Sequence, residues 1–318
     1  MIKVYSRADG RIKPATIDTD TFLSANFDNV VWIDMISPSA AEIAAVETTL
    51  GLELPTRQET EEIEYSARYW EDDQSITINT YFLLKQDNNT YINETVSFTL
   101  CKQYLVSIRF SELRLFTEFA RKVVLTPSAF RDGVYVLAGI IEQRVELDAD
   151  ILEALAKEIV SASRHNLKSI ADRDSFLEYI TSFEDMNMTI RENLIDKQRI
   201  LSALLKSRRI PEELRREFTT MIKDVNSLVM TANFNFERLD FLQDLFLNHL
   251  SVEQNKVIKI FTVMSVIFLP PTLIASIYGM NFRILPELEW QLGYPLAICL
   301  MVLSGVLPIY IFKKKGWF

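Results

Sequence analysis

The chain has 318 residues, of which 48% are hydrophobic and 24% are charged, and its net charge is −9. Only six of its 34 basic and two of its 43 acidic residues follow position 255, so residues 1–255 carry a net charge of −13. This balance argues against a nucleic-acid partner, since phosphate neutralisation needs clustered Lys and Arg; it leaves open ordinary solubilising charge or affinity for metal cations. The sequence contains no Ser/His/Asp or Cys/His arrangement, Gly-rich phosphate loop or HExxH motif, so we expect neither an enzyme nor an organic cofactor.

The first part of the chain, residues 1–110, has a mixed α/β pattern. Short runs rich in β-branched and aromatic residues predict strands at 30–35, 75–84, 94–100 and 104–110. Between the first two runs, residues 38–50 predict a helix, with Ser37 as its N-cap and Pro38 in its first turn.

From residue 111 onward the strand signal disappears and helices are predicted at about 111–123, 132–166 and 175–208. A last helix is predicted to begin at Pro211 and to continue to about Gly279, since the stretch between them contains no Gly and no Pro before Pro270. At 1.5 Å per residue such a helix is on the order of 100 Å long, which predicts a stalk. A helix end near residues 233–235 is the alternative.

Two uncharged apolar runs, residues 260–282 and 292–312, lie near the C-terminus. Each exceeds the roughly 20 residues that an α-helix needs to cross a bilayer. We therefore predict a soluble domain at residues 1–255, with its stalk from about 211, and a membrane hairpin at 256–318. Its spans are predicted at about 260–280 and 292–312, with an outer loop at 281–291. Lysines flank the hairpin at 256, 259 and 313–315, which predicts cytoplasmic N- and C-termini.

A largely polar stripe follows one face of the last predicted helix, at steps of four and three residues. Its members are Asp244, Asn248, Ser251, Asn255, Ile258, Thr262, Ser265, Leu269, Thr272, Ser276 and Gly279. A period of 3.5 residues keeps one face directed at a common axis. Within the span, Ser and Thr fit close helix packing in lipid equally well. The continuation of the stripe into polar positions before the span favours a cation path, which two spans can enclose only in an oligomer with the first span innermost.

Pro270 and Pro271 interrupt the backbone hydrogen bonding of the first span. They release the carbonyl groups of Val266 and Ile267 and predict a bend in mid-span. A simple packing bend and a functional hinge both fit this pattern.

The motif Tyr278-Gly279-Met280-Asn281-Phe282 follows the first span, and Leu285-Pro286-Glu287-Leu288 comes directly after it. With these motifs the chain resembles the CorA family of divalent-cation transport proteins. The resemblance covers nearly the whole chain and is strongest over the last 70 residues. It implies an α+β cytoplasmic domain, an α/β/α funnel, followed by a long stalk helix and two transmembrane helices, assembled as a homopentamer in the bacterial inner membrane.

The resemblance also implies roles for individual residues. Gly279, Met280 and Asn281 would form an outer mouth that selects hydrated Mg²⁺, with Co²⁺ and Ni²⁺ also accepted. The positions from Asn255 to Ser276 on the stripe would line the pore, with apolar constrictions at Ile258 and Leu269. Transport would be passive and driven by the membrane potential.

The resemblance also implies that some charged residues attract cations and that others take part in regulation. Glu287 would raise the cation concentration at the mouth, whereas Arg283 stands where relatives often have an acid. Cytoplasmic Mg²⁺ would act as a regulator at acidic positions. The candidates are Asp87, Asp224 and Asp244, with Thr220 at the place of an expected acidic partner.

Two other functions fit the same sequence. A relative that moves Zn²⁺ is the alternative within transport, and a membrane-anchored metal sensor or scaffold without transport is the alternative outside it. Gly279 and Asn281 are also common at ordinary helix ends.

Overall fold

The computed structural model describes residues 1–60, 68–87, 90–101, 103–165, 173–281 and 290–316. The chain divides into two compact units, Met1–Leu242 and Gln243–Phe318. Within these ranges the strands are β1 (Ile2–Ala8), β2 (Arg11–Ile17), β3 (Val30–Ile36), β4 (Tyr69–Glu71), β5 (Ile76–Lys85), β6 (Tyr91–Leu100) and β7 (Leu105–Arg109). The helices of the described ranges are α1 (Thr19–Leu23), α2 (Ala40–Leu50), α3 (Arg57–Thr60), α4 (Arg114–Leu125), α5 (Gly133–His165), α6 (Arg173–Lys206), α7 (Glu212–Tyr278) and α8 (Gly293–Lys314).

The strands of the first unit form one sheet in the order β2-β1-β3-β7-β6-β5-β4. Only β3 and β7 pair in parallel, and every other neighbouring pair is antiparallel. β7 is the central strand, and β3 beside it has all seven of its residues buried, as expected for a strand covered on both faces.

Helices cover both faces of the sheet and give a three-layer α/β/α domain. On one face, α1 and α2 pack over a core of Ile2, Val4, Phe22, Val30, Ile33, Met35, Val46, Leu54, Val106 and Ile108. On the other face an aromatic cluster meets α4 and α5. The Trp32 ring stacks on Tyr5 at 4.4 Å and meets the edge of Phe119 at 5.8 Å. The alternation of side chains along β3 thus supplies both cores.

The strands and helices predicted from sequence in this unit are present, but the sequence pattern missed the strands β1, β2 and β4 and the short helices α1 and α3. In β2 only Ile12 is buried, because it is an edge strand with little apolar alternation. The predicted start of α2 was wrong by two residues. Ser39, not Ser37, is the N-cap, and it forms a capping box with Glu42. Ser37 instead has a φ of +41°, outside the extended range of an N-cap.

Helix α7 is continuous from Glu212 to Tyr278, so no helix end occurs near 233–235. One of its faces packs on α6 in the first unit, where Ala232 and Leu239 are fully buried. Asn187 of α6 donates a hydrogen bond to the carbonyl of Ala232 at 2.9 Å. Pro211 lies just before the helix rather than in it, and its carbonyl accepts the N–H of Arg215.

A buried charge cluster joins α5 and α6 to the sheet; its members are Arg68, Arg144, Asp148, Asp196 and Lys197. The Asp196 carboxylate accepts hydrogen bonds from Arg68 at 3.2 Å and from the hydroxyl of Thr80 at 2.6 Å. Lys197 lies 3.3 Å from Asp148, which also pairs with Arg144. With three cations and two carboxylates, the cluster has an excess of one positive charge when every member is ionised.

Candidate ion pathway

The second unit consists of the last part of α7 and of α8, two helices long and apolar enough to cross a membrane. None of the residues in the apolar window of α7 is buried, and only 6% of those in the window of α8 are. A core helix of a soluble protein would be buried instead. Apolar surface exposed on this scale marks membrane or protein contact.

The two helices pack through small residues of α8. The backbone at Gly305 approaches so closely that a Cβ added there would lie 3.5 Å from Cγ of Pro271 and 3.6 Å from the carbonyl oxygen of Ile267. Gly293 and Ala297, four residues apart on α8, are also buried. Small residues at this spacing let helix backbones approach in lipid.

The polar stripe of α7 lies on the face turned away from α8. Ile267 and Leu269 differ by two residues, or about 200° around a helix, so a helix that touches Ile267 leaves Leu269 on the far side. All the predicted pore-lining positions are exposed in the single chain. They are Asn255, Ile258, Thr262, Ser265, Leu269, Thr272 and Ser276.

Three hydroxyl groups of this stripe donate hydrogen bonds to backbone carbonyls one turn earlier. Thr262 donates to Ile258 at 2.8 Å, and Ser265 donates to Phe261 at 2.9 Å. Thr272 donates to the carbonyl of Phe268 at 2.7 Å. The protons of these three hydroxyls are therefore used within the helix.

Helix α7 continues through Pro270 and Pro271. A proline has no N–H, so the carbonyls of Val266 and Ile267 lack their usual partners one turn later. Gly305 of α8 lies beside the carbonyl oxygen of Ile267. The two prolines thus lie at the level where α8 is in contact with α7.

The predicted mouth follows the end of α7. The N–H of Gly279 donates to the carbonyl of Ala275 at 2.9 Å, and the N–H of Met280 donates to Ile277 at 3.3 Å. Gly279 is not among the glycines with positive φ, so its presence is not explained by a left-handed helix cap. Met280 and Asn281 are exposed. Glu287 and Arg283 lie outside the described residues.

Comparison with known proteins identifies the family. A family model described as CorA-like Mg²⁺ transporter protein matches residues 27–314. The chain belongs to the CorA family. A magnesium transport protein CorA of Wolinella succinogenes is 48% identical over 324 residues, covering all of both chains. One of Escherichia coli K12 is 35% identical, covering 91% of this chain and 92% of the relative.

Solved structures show the same fold at lower identity. The complete structure of the CorA magnesium transporter from Methanocaldococcus jannaschii matches with a TM-score of 0.82 and 21% identity, covering 100% of this chain and 99% of the other. The ZntB cytoplasmic domain from Vibrio parahaemolyticus matches with a TM-score of 0.56 and 13% identity, over 78% of this chain and 97% of the other. The predicted fold class is confirmed: a soluble α/β domain, a long helix and a C-terminal apolar helix in a member of the CorA family.

The acidic positions predicted for regulation are exposed and lie in separate places. Asp87 is in the turn that follows β5, Asp224 lies on α7 in the first unit, and Asp244 lies in the second unit. Within the described ranges, no group of three or more His, Cys, Asp or Glu side chains is arranged to hold a metal ion. A single chain therefore does not build a complete metal site from these residues there.

Two features of the first unit were missed by the sequence analysis. Asp224 and Thr220 line a groove of about 340 Å³ together with the acids Glu142, Glu146 and Glu217. The buried charge cluster was also missed, although it changes the pKa of one of its members, Lys197. The pKa of Lys197 falls from 10.5 to about 8, chiefly because the ammonium group is buried; the charge of Arg144 also lowers it, whereas Asp148 and Asp196 raise it. Charged residues at buried positions of α5 and α6 were the available signal.

Proposed function

We propose that this chain carries hydrated Mg²⁺ across the bacterial inner membrane as a homopentamer, with Co²⁺ and Ni²⁺ as further cargo. Support comes from relatives of the same length that bear the name magnesium transport protein. The position of the polar stripe is the structural observation that carries the proposal.

That stripe is exposed in the single chain and faces away from α8. Polar side chains within an apolar span need protein or water around them, because hydrocarbon offers no hydrogen bonds. Five copies of α7 around a common axis would direct the stripe at a water-filled lumen, with the α8 helices outside. A metal sensor or scaffold that transports no ion would not need a polar stripe of this length.

The mouth would act on the water shell of the ion. Mg²⁺ loses its water reluctantly and usually retains several molecules when bound. The side-chain oxygen of Asn281 and the backbone carbonyl of Gly279 would accept hydrogen bonds from those waters without replacing them. Neutral oxygens bind the ion weakly enough for it to leave, as conduction requires. Met280 belongs to the same mouth, and Glu287 would attract cations to it.

Closure would involve the apolar members of the stripe. Ile258 is 52% exposed and Leu269 is 65% exposed in the single chain, so rings of each would narrow the lumen and close it by dewetting. Cytoplasmic Mg²⁺ would stabilise the closed form through Asp87, Asp224 and Asp244. Because the described part of one chain lacks a complete metal site, a neighbouring subunit would supply the missing ligands.

The membrane potential would drive inward movement. With the lysine-flanked ends in the cytoplasm, a divalent cation gains about 4.6 kcal/mol per 100 mV on crossing inward. No nucleotide is required for uptake of this kind.

The test is ion flux through the full chain in liposomes under an inside-negative potential. We expect Mg²⁺ uptake, and we expect Asn281→Ala to reduce it about tenfold or more, since hydrogen bonds to the hydrated ion are lost. Asn29→Ala, at an exposed position of the first unit, is the matched control and should transport like wild type.

Other results would identify the alternatives. Zn²⁺ uptake well above Mg²⁺ uptake would favour a zinc transporter, which the fold match to ZntB alone does not distinguish. Wild type that passes neither ion, with Asn281→Ala unchanged, would favour the scaffold.

A further inference from the structure

Five lysines occupy one end of the second unit. Lys256 and Lys259 lie on α7 before its apolar run, Lys313 and Lys314 end α8, and Lys315 is the C-cap of α8. All five side chains are exposed. We name these five residues the lysine layer.

The packing of the two helices places the lysine layer at one level. Gly305 meets Ile267, and Lys259 precedes Ile267 by eight residues while Lys313 follows Gly305 by eight. Along each helix, the contact is about equally far from the short connection between α7 and α8. The two helices therefore run antiparallel. At 1.5 Å per residue, both lysines are therefore about 12 Å from the contact in the same direction.

The end of α8 holds its three lysines on ordered backbone. The N–H of Lys315 donates to the carbonyl of Ile311 at 3.0 Å, and that of Gly316 donates to Lys313 at 3.3 Å. Gly316 has a φ of +67°, the left-handed conformation that stops a helix. Successive positions on the last turn spread these lysines over about 200° of the helix circumference.

No carboxylate neutralises the lysine layer among the residues that the structure describes: none of the five lysines takes part in an ion pair there. Glu253, one turn before Lys256, lies 3.7 Å from His249 instead, and in the sequence the acids from Lys256 to Phe318 are Glu287 and Glu289, between the two helices. The apolar surface of the two helices therefore ends at an unbalanced cationic layer.

We propose that the lysine layer binds the headgroups of anionic phospholipids in the leaflet next to it. The inference relies on the membrane hairpin of the proposed function and goes beyond transport. Clustered lysines directly beside a membrane span attract anionic lipids by charge, and their long stems keep the ammonium groups at headgroup level. Phosphatidylglycerol, with one negative charge, is the simplest lipid of this class.

The experiment measures the thermal midpoint of the full chain in neutral detergent as phosphatidylglycerol is titrated in. We expect a rise in the midpoint with phosphatidylglycerol and little change with zwitterionic phosphatidylcholine. Each lysine contributes about a fivefold change in affinity, so K313Q/K314Q/K315Q should need about a hundredfold more phosphatidylglycerol for half the effect. Addition of K256Q/K259Q should abolish the shift, and high salt should weaken it in wild type.

The matched control is K13Q/K206Q/K223Q, which removes three exposed lysines from the first unit. It should respond to phosphatidylglycerol like wild type. Equal shifts in all variants, or equal shifts with both lipids, would overturn the proposal.

Failure of transport is distinguishable from failure of lipid binding. A chain that moves no Mg²⁺ but loses its phosphatidylglycerol response with the lysines would retain the lipid site and lose the transport proposal. A chain that transports Mg²⁺ but whose phosphatidylglycerol response is unchanged by the lysine substitutions would retain the transport proposal and lose the lipid site.

Discussion

Replacement of Lys197 by Met should change how the stability of the protein depends on pH. The ammonium group is only 4% exposed and lies within the buried charge cluster, beside Asp148 and within 5.7 Å of the Phe82 ring centroid. Met keeps the length and apolar character of the lysine stem but removes the proton. The substitution therefore isolates one titrating group.

The expected magnitude follows from the lowered pKa of Lys197. The pKa is about 8 in the folded protein and 10.5 without burial, a difference equivalent to about 3 kcal/mol. The unfolded chain binds more protons than the folded one between these values, so this group makes wild type more stable as pH rises from about 8 to 10.5. The cost of the buried charge is fully present below pH 8 and absent above about 10.5. The slope is about 1 kcal/mol per pH unit.

The assay is urea unfolding of the full chain in detergent, followed by near-ultraviolet circular dichroism of the buried aromatic cluster around Trp32. The difference in unfolding free energy between wild type and Lys197→Met should move in favour of wild type by about 3 kcal/mol from pH 7.5 to 10.5. Other groups titrate in this range in both proteins, and their contributions cancel in the difference. Parallel curves would refute the assignment of a lowered pKa to Lys197.

Two glycine positions give further predictions. Gly305→Leu should separate α8 from Pro271 and lower the thermal midpoint in detergent by the equivalent of about 1–3 kcal/mol, whereas Gly305→Ala should fit, since its Cβ lies at an ordinary 3.5 Å from Cγ of Pro271. A midpoint for the Leu variant equal to that of the Ala variant would contradict the contact. Gly133→Ala should cost about 3 kcal/mol in urea unfolding, because its Cβ would lie 2.3 Å from the carbonyl carbon of Tyr104. Gly10→Ala, with no atom within 4 Å but a φ of +73°, should cost only about 1 kcal/mol, so equal losses at the two sites would argue against the clash.

Features that depend on helix periodicity could be predicted from the sequence. The positions of the polar stripe follow from a fixed repeat of 3.5 residues, and the contact of Gly305 with Ile267 leaves that stripe on the opposite face. The uncharged runs and the absence of Gly and Pro likewise predicted the long helix that ends at Tyr278. Regular structure of this kind depends on local composition and can therefore be predicted from it.

Features that depend on contacts between distant residues could not be predicted. A pattern of polarity assigns Asp148 and Lys197 to the surface. They are buried because each forms an ion pair with a residue on another helix. Ser37 and Ser39 are equally good N-caps in composition, and the backbone of the preceding strand decides between them. The ligands that a neighbouring chain would contribute in the proposed assembly would leave no periodic signal in one sequence.

The hydroxyl groups of Thr262, Ser265 and Thr272 have a further property, because each gives its proton to its own helix. Such an oxygen presents lone pairs alone to anything beside it. A hydrated metal cation turns the hydrogens of its water outward, whereas a hydrated anion turns the oxygens outward. In the proposed pore, such a surface would discriminate by the sign of the charge at the centre of the shell, without a single carboxylate in the span.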